Sequence, residues 1–559
     1  MRKIRSRVLA TGLCITLAVS ALAMTGCKKD KGNSEGGSAS TGTGLATDVE
    51  GDISIMLWAG DSKYYENIGQ QDLTKDDLTS QNVAAVYAVA KKFNETYPNI
   101  KINLWAKTGD PNQVNTPTWD QEIENFKSQY GKYADIWAST DVVNDIKKGI
   151  VADLSVFEDD ATYKSFNPTL MNYMNYYGFQ AGLPSYSIPW GIWINKSLAE
   201  ENNIEVPDVD WDIDDYTDFA TSGDGESFWG SMNVPTSLIE TGTKDINARI
   251  ANYDGSDQYV DITTDAVQDL LSYIPDWASD SINAQAGLGN IPAEIVSESA
   301  SYDWNYFCNN RLLTLDSCPW QLTNAADPNA IGGIGTVQAA DWDIYPRPAT
   351  DYADNTVGVV VDPICLHNYG EDDGNSEWSE EEKQKLLITY TFAAYWTAST
   401  EAKQAIADQE FKKGTTYTSA MNDSFPVVVG DAYDEQMDIW YSIPAHERYA
   451  DEEKMPGFQK VVEIFKDSEQ TWDYSDKCFP CTITEDGESK SCMYEWKNMW
   501  DGNVAGSYQT EPDWLNNVKS RLSGWNELIN ERFAQAQTQL QDALKQYYGF
   551  EDADFTSEK

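Results

Sequence analysis

Apolar and polar positions after residue 50 follow two alternating patterns. A short apolar run at 53–58 predicts a buried strand, which ends in the turn 59–61. Apolar residues then recur with helical spacing over 83–93, and Pro98 closes that helix. The two patterns continue in the order strand 100–104, helix 123–130 and strand 134–138.

This β-α-β-α-β order predicts an α/β fold with a parallel, doubly wound sheet and right-handed crossovers. Ligands of such sheets bind beyond the carboxyl ends of the strands. The residues at or just past those ends are Trp58, Asp61, Trp137, Ser139 and Asp141. We therefore expect a ligand site beside these residues.

The last part of the chain carries a longer helical pattern. From Trp514 to Phe533 apolar residues are separated by three or four positions, which predicts an amphipathic helix that closes the fold. The acidic stretch 371–382 predicts a surface loop that leads into a helix beginning near Glu380. A calcium site in that loop is an alternative, although its spacing differs from that of an EF-hand.

Length and composition restrict the function classes. A chain of 559 residues is too long for one core and predicts roughly three to four domain-sized units or two large lobes. The formal charge of −50 largely excludes a nucleic-acid binder and adhesion to anionic lipid by a basic surface. Because the sequence has only two histidines, Ser-His-Asp and multi-histidine metal chemistry are disfavoured. We expect no cofactor, no metal and no catalytic residue.

The N-terminal residues 1–27 have the features of an export signal. Basic residues precede the uncharged apolar run 8–23, which is short for a membrane span. The run leads into Leu-Ala-Met-Thr-Gly-Cys, which resembles a bacterial lipobox and implies that Cys27 is diacylated. The alternative is a plain secretory signal with an incidental cysteine. Residues 28–49 are rich in Gly, Ser and Thr and predict a flexible tether.

Six cysteines remain once Cys14 and Cys27 are set aside, and the sequence does not choose among their pairings. They are Cys308, Cys318, Cys365, Cys478, Cys481 and Cys492. The spacing of Cys478 and Cys481, with Cys492 nearby, suggests zinc, but no second pair and no local histidine accompanies it. Disulfides outside the cell and free thiols in an anaerobe are the other interpretations.

Several short segments occur in an order typical of a known family. They are 57–60 after the first strand, 93–100 at a helix-to-strand junction, 134–137 with 149–154, 182–184 with 191–196, Cys318-Pro319-Trp320, and 343–348. With the lipobox and the tether, this order resembles the extracellular solute-binding protein family 1. That family comprises carbohydrate-binding lipoproteins of bacterial ABC importers and includes the maltose-binding proteins. Two positions depart from its pattern, since Ile194 precedes Asn195 where Tyr is usual, and Cys318 replaces Gly in Gly-Pro-Trp.

The resemblance implies a two-lobed, periplasmic-binding-protein-like fold with discontinuous lobes, a hinge and a ligand cleft between the lobes. Lobe one would hold 50–186 and 346–420. Lobe two would hold 187–345 and the closing helical part 421–549, before a tail at 550–559. The resemblance also implies a monomer, anchored by Cys27 at the outer face of the bacterial cytoplasmic membrane, that delivers its ligand to an ABC permease.

Sugar chemistry selects the candidate residues. The apolar face of a pyranose stacks on Trp or Tyr, and its hydroxyl rim needs carboxylate, amide or guanidinium partners. This gives the candidate ligand-binding set Trp58, Asp61, Trp137, Asp141, Tyr186, Trp190, Trp229, Asp303, Trp304, Trp320, Arg347 and Trp440. For each of them a structural role is the alternative, with tryptophans in the core, Asp61 and Asp141 as helix caps, and Arg347 in an ion pair.

We therefore expect a binding protein, not an enzyme, that captures a neutral oligosaccharide outside the cell. Three alternatives stay open. One is a surface glycoside hydrolase or lyase, for which two carboxylates at catalytic separation would suffice. Another is an adhesin with an exposed aromatic strip. The third is a binder of a cationic solute such as a polyamine or a basic peptide, which the acidic charge favours, although net charge reports on steering and not on a cleft.

Overall fold

The computed structural model describes residues 43–59, 62–107, 117–240, 261–298, 304–326, 341–371, 378–466, 471–473, 477–478, 482–485, 488–491 and 513–555. Several sequence predictions concern positions outside these described residues. They are the signal with Cys27, most of the tether, Asp61, Asp303, Cys481, Cys492 and most of the acidic loop.

The strands, in chain order, are β1 (Gly51–Trp58), β2 (Lys63–Tyr65), β3 (Ile100–Lys107), β4 (Ile136–Ala138), β5 (Asn175–Tyr176), β6 (Phe179–Gln180), β7 (Leu183–Trp190), β8 (Ile192–Ile194), β9 (Thr314–Leu315), β10 (Asp343–Tyr345), β11 (Val357–Leu366), β12 (Glu410–Lys413), β13 (Thr416–Ser419), β14 (Thr471–Asp473), β15 (Thr482–Glu485) and β16 (Glu488–Ser491).

The helices are α1 (Gln81–Thr96), α2 (Trp119–Tyr130), α3 (Val142–Lys147), α4 (Pro168–Asn172), α5 (Lys196–Glu201), α6 (Ile213–Ala220), α7 (Ser237–Glu240), α8 (Asp265–Leu270), α9 (Ile274–Ser279), α10 (Ile282–Gly287), α11 (Ala293–Glu298), α12 (Trp304–Cys308), α13 (Leu322–Ala326), α14 (Glu380–Ala398), α15 (Thr400–Asp408), α16 (Asp431–Tyr441), α17 (Pro456–Lys466) and α18 (Trp514–Tyr548). The predicted helix start near Glu380 is confirmed, because the Ser379 and Glu382 side chains form a reciprocal capping box there.

A seven-stranded sheet forms the framework of lobe one. Its order is β14-β11-β4-β1-β3-β2, and β7 pairs with β11. Strand β1 is parallel to both β3 and β4, which confirms the strand order predicted from the alternating pattern. Residues 53–57 of β1 are all buried, as in a sheet covered on both faces, and Trp58 is the first exposed residue after them.

Two long strands connect this sheet with lobe two, whose own sheet has the order β10-β8-β9. Strands β7 and β11 form an antiparallel ladder in which Leu183 pairs with Ile364 at one end and Trp190 with Gly358 at the other. The ladder continues into β8 and β10, which pair with each other in lobe two. This two-stranded connection is the hinge region of the fold.

The segment 421–549 contacts both lobes, which differs from its expected place in lobe two alone. Strand β14 pairs with β11 in the lobe-one sheet, whereas Phe458 of α17 donates its backbone N–H to Asp343 of β10 in lobe two. Helix α18 spans the two lobes. The Asn526 carboxamide oxygen accepts from the Ile262 N–H at 3.0 Å, and Gln541 Nε2 donates to the Tyr177 hydroxyl at 2.9 Å. The sequence pattern identified the helix but not its partners.

Candidate functional site

Trp58 forms an exposed aromatic surface at the carboxyl end of the lobe-one sheet. Its side chain is 39% exposed, and one ring face is stacked on Trp119 with ring centroids 6.0 Å apart and an interplanar angle of 11°. Trp119, the first residue of α2, is fixed in turn because its indole N–H donates to Ala138 O at 2.6 Å. The two tryptophans therefore form a rigid, flat surface at the position where ligands of doubly wound sheets bind.

A cation accompanies this surface. Lys107 ends β3 and pairs with Trp58 in the strand register. Its ammonium lies 2.9 Å from the Glu122 carboxylate, and both side chains are largely buried. The salt bridge neutralises the charge, so the edge of the sheet beside Trp58 presents an ion pair and not an isolated charge.

Trp320 is the corresponding exposed ring of lobe two. It lies in the short 3-10 turn Pro319–Gln321 and is 44% exposed. Its ring meets the edge of Trp190, with centroids 6.4 Å apart and planes at 79°. The Trp190 indole N–H donates to Asp316 Oδ1 at 3.0 Å, so the supporting ring is itself held in place.

Asp316 organises the polar part of this lobe-two cluster. Besides Trp190, the Ser237 hydroxyl donates to its carboxylate. Arg347 Nη2 lies 3.9 Å from Asp316 Oδ1, and Arg347 Nη1 donates to Ser237 O at 3.4 Å. Arg347 is completely buried, so it contacts Asp316 from the protein interior. The expectation that it extends into the cleft is therefore corrected. The Asp316 side chain is 15% exposed and therefore reachable by a hydroxyl group.

Hydrogen bonds connect the surroundings of Trp58 with the hinge. Asn82 Nδ2 donates to Trp58 O at 2.7 Å, and the neighbouring Gln81 Nε2 donates to Met421 O at 2.9 Å. Two residues further on, Asp423 Oδ1 accepts from the Tyr186 hydroxyl at 2.9 Å. Burial raises the pKa of Asp423 to about 7. Tyr186 is thus a residue of the hinge strand β7 whose hydroxyl donates a hydrogen bond to a buried carboxyl group.

A second set of hydrogen bonds joins the two lobes beside Trp320. Lys413, at the end of β12, donates from Nζ to Asn324 Oδ1 of α13 at 2.6 Å. Asn324 Nδ2 donates to Gln321 Oε1 at 3.0 Å, and Gln321 follows Trp320 directly. The β12–β13 hairpin is anchored in lobe one, since the Lys412 N–H donates to Leu78 O at 2.8 Å. The hairpin therefore extends from lobe one to the turn that carries Trp320.

Four of the predicted aromatic residues lie in the core. Trp137, Trp229, Trp304 and Trp440 are each 1% exposed, so none of them offers a ring face to a ligand. Trp137 donates from its indole N–H to the buried Asp145 at 3.0 Å, and Trp440 is stacked on His446 at 3.8 Å. Trp304 packs against Trp193 with centroids 4.8 Å apart. We correct the expected site accordingly and leave these four residues out.

Asp141 is also placed differently from the site expectation. Its carboxylate accepts from the Asn144 N–H at 2.8 Å and caps α3, which is the structural role that the sequence left open. Sequence reasoning did not identify Trp119, Asn82, Asp316 or Lys413 as contributors. The only local signal was that Asp316 precedes Cys318-Pro319-Trp320 by two residues.

The residues that the structure describes contain no group of three or more His, Cys, Asp or Glu side chains arranged to hold a metal ion. Within the same ranges, every helix is too short or too polar to cross a bilayer. The described cysteines Cys308, Cys318, Cys365 and Cys478 are buried.

No protein-family model matches the chain, and no curated protein matches it either. Solved structures do match over most of its length. A protein described as an oligosaccharide periplasmic-binding protein of Synechococcus sp. MITs9220, in complex with zinc, is 11% identical with a TM-score of 0.50, over 86% of this chain and 100% of that one.

Two further structures match at a slightly lower score. An ABC substrate-binding protein of Listeria monocytogenes in complex with cycloalternan is 14% identical, with a TM-score of 0.48 over 90% of this chain and 100% of that one. A family 1 extracellular solute-binding protein of Bifidobacterium longum subsp. infantis is 14% identical, with a TM-score of 0.48 over 87% of this chain and 99% of that one. At such identities the likeness concerns the fold, and the fold of this chain is the two-lobed α/β fold of periplasmic solute-binding proteins.

Proposed function

We propose that the protein is the extracellular solute-binding component of an ABC importer and that it captures a neutral oligosaccharide between its lobes. The observation that carries the proposal is the exposure of two tryptophans. Among the tryptophans whose side chains the structure describes, only Trp58 and Trp320 are exposed, at 39% and 44%. One lies in each lobe, each is supported by a second indole ring, and each lies next to a hydrogen-bonded connection to the hinge or the other lobe.

The surroundings of the two rings favour an uncharged ligand. The cation beside Trp58 is paired with Glu122, and the carboxylate beside Trp190 is approached by the buried Arg347. A sugar stacks on exposed indole rings and hydrogen-bonds to amides and carboxylates without bringing a charge of its own. A polyamine is held most strongly where cation–π contact with an indole is combined with an unneutralised carboxylate, and neither ring has such a carboxylate at its side among the contacts described.

The hinge supplies the mechanism. A ligand that contacts both rings stabilises the closed form by the contacts it makes only there, so it shifts the equilibrium of the lobes towards closure. In this proposal Cys27 anchors the protein by its lipid to the outer face of the membrane. The permease then recognises the closed monomer, and the sugar is released unchanged. The neighbours support a sugar ligand because the Listeria protein is in complex with cycloalternan.

Calorimetry with a panel of neutral oligosaccharides tests the proposal. We expect saturable binding of at least one member of a panel of malto-, cello-, xylo- and mannotrioses, and no binding of spermidine or of a basic tripeptide. Chromatography of the sugar recovered after incubation should return it intact. Shortened products would instead identify a glycoside hydrolase, and binding of the polyamine alone would refute the neutral ligand.

A further inference from the structure

A second exposed aromatic cluster lies on the outer edge of lobe one. Tyr64 of the edge strand β2 pairs with Trp105 of β3 in the strand register, and their ring centroids are 4.3 Å apart. Tyr130, the last residue of α2, meets Trp105 at 5.1 Å. Tyr64 is 47% exposed and Tyr130 is 42% exposed, so two exposed tyrosine rings contact the partly buried Trp105 indole. We call these three residues the outer platform.

Hydrogen bonds hold the outer platform in one conformation. The Trp105 indole N–H donates to the Tyr130 hydroxyl at 2.8 Å, and Gln129 Nε2 donates to the same oxygen at 2.9 Å. With both lone pairs of that oxygen occupied, the Tyr130 hydroxyl hydrogen is directed away from these partners as a donor. Edge-to-face packing of Trp105 on Phe126, at 4.9 Å, fixes the indole from below.

Size and chemistry decide which occupant suits this surface. The two tyrosines leave about 200 Å² of ring surface exposed, well below the roughly 800 Å² that each partner buries in a stable protein complex. Aromatic faces with amide and hydroxyl groups at their edges match the apolar face and hydroxyl rim of a sugar ring. The exposed Glu66 carboxylate near Tyr64 adds an acceptor for hydroxyl groups.

The outer platform is also continuous with the proposed cleft. Trp58 pairs with Lys107 and Met56 with Trp105, so Trp105 lies on the strand next to β1, two residues before the level of Trp58. In aligned parallel strands paired residues point to the same face of the sheet, which places Trp105 and Trp58 on one face. Helix α2 joins the two aromatic groups, since Trp119 begins it and Tyr130 ends it.

We propose that the outer platform is an accessory saccharide site that binds a neutral polysaccharide chain outside the cleft. The proposal rests on the proposed function, because it assigns the same class of ligand to a second surface. A lobe that holds a polymer close to the cleft raises the local concentration of chain ends and short fragments beside Trp58.

Affinity electrophoresis tests this site with amylopectin, mixed-linkage β-glucan, arabinoxylan and galactomannan in the gel. We expect retardation of the wild-type protein in at least one gel. The double variant Tyr64→Ala Tyr130→Ala should weaken the polymer interaction about fivefold or more. Its calorimetric affinity for the cleft trisaccharide should change less than about twofold. Tyr64→Ser alone, at an exposed edge position, serves as a second variant that leaves the packing on Phe126 intact.

Tyr417→Ala, another exposed tyrosine at 41%, is the matched control and should be retarded like the wild type. Unchanged retardation of both platform variants overturns the accessory site, as does a wild-type protein that binds the trisaccharide but enters every gel freely. In those cases the proposed function stands. Absence of trisaccharide binding refutes the proposed function itself. Normal retardation of the double variant, with lost stimulation of the permease, would assign the surface to a protein partner.

Discussion

Replacing Trp320 by alanine measures how much of the binding energy one exposed ring supplies. An indole side chain has on the order of 250 Å² of accessible surface, so 44% exposure leaves about 110 Å² for a ligand to cover. At about 25 cal/mol/Å², complete coverage contributes roughly 2.7 kcal/mol, and coverage of one face about half of that. We therefore expect Trp320→Ala to raise the Kd of the best trisaccharide about ten- to hundredfold.

The assay is isothermal titration calorimetry on the wild type and on matched variants. Trp58→Ala should give a comparable loss, because Trp58 is 39% exposed and is likewise supported by a second indole ring. Leu528→Ala removes an apolar side chain of similar exposure, 42%, from the C-terminal helix and should leave the Kd unchanged. Thermal unfolding of each variant shows whether a loss of affinity reflects a loss of folding.

A change below about 0.5 kcal/mol for Trp320→Ala, roughly a twofold rise in Kd, would mean that the ligand does not cover this ring. The same small effect for Trp58→Ala would remove the exposed-tryptophan argument on which the proposed function depends. A large effect for Trp58 alone would place the ligand on lobe one without closure onto lobe two.

Three further predictions concern the support of the site and the hinge. Asp316→Ala should weaken sugar binding and lower the free energy of unfolding by about 1–3 kcal/mol, because Trp190 and Ser237 lose their shared acceptor. The Tm should fall accordingly, and an unchanged Tm would contradict this prediction. Burial raises the pKa of Asp423 and of Asp145 to about 7, so both carboxyl groups hold their protons more tightly in the folded protein than in the unfolded chain. The free energy of unfolding should therefore fall as pH rises from about 4 to 7. Chemical denaturation at several pH values should show a smaller fall for Asp423→Asn. Asn526→Ala should cost about 1 kcal/mol in stability and shift the ratio of open to closed molecules in small-angle scattering, whereas Asn530→Ala on the same helix should not.

The β-α-β order of lobe one could be predicted because short local patterns of apolar residues indicate which positions are buried. The continuous apolar run of β1 and the helical spacing that follows it have the same meaning in any tertiary context. Trp58 was identified for a related reason, since it stands where the run ends and a turn begins. The helix start near Glu380 was predicted from the end of the acidic loop, and in the structure the Ser379 and Glu382 side chains cap it.

The site itself depends on register, which no local pattern contains. Trp137 and Trp58 both occur near the end of a predicted strand, but Trp137 pairs with Met56, two residues before the level of Trp58. That shift of about 7 Å moves Trp137 into the core and leaves Trp58 exposed. Asp316 and Arg347 meet only because β9 and β10 both flank β8 in the small sheet. The contact between them is a consequence of this strand pairing and could not be predicted across the 30 residues that separate them in the sequence.

The C-terminal helix sets a condition on any closing motion. Asn526 accepts a hydrogen bond from lobe two and Gln537 donates one to Tyr177 of lobe one, and the two residues are eleven helical positions apart, a span of about 16 Å. The lobe-one end is closely packed, since a Cβ on Gly149 would lie 2.8 Å from the Tyr547 ring and Tyr548 packs on Phe179 at 4.5 Å. A helix this rigid cannot stretch when the lobes rotate. The hydrogen bond between Asn526 and Ile262 is therefore one of the contacts that must break or shift, so the C-terminal helix is coupled to the rotation of the lobes.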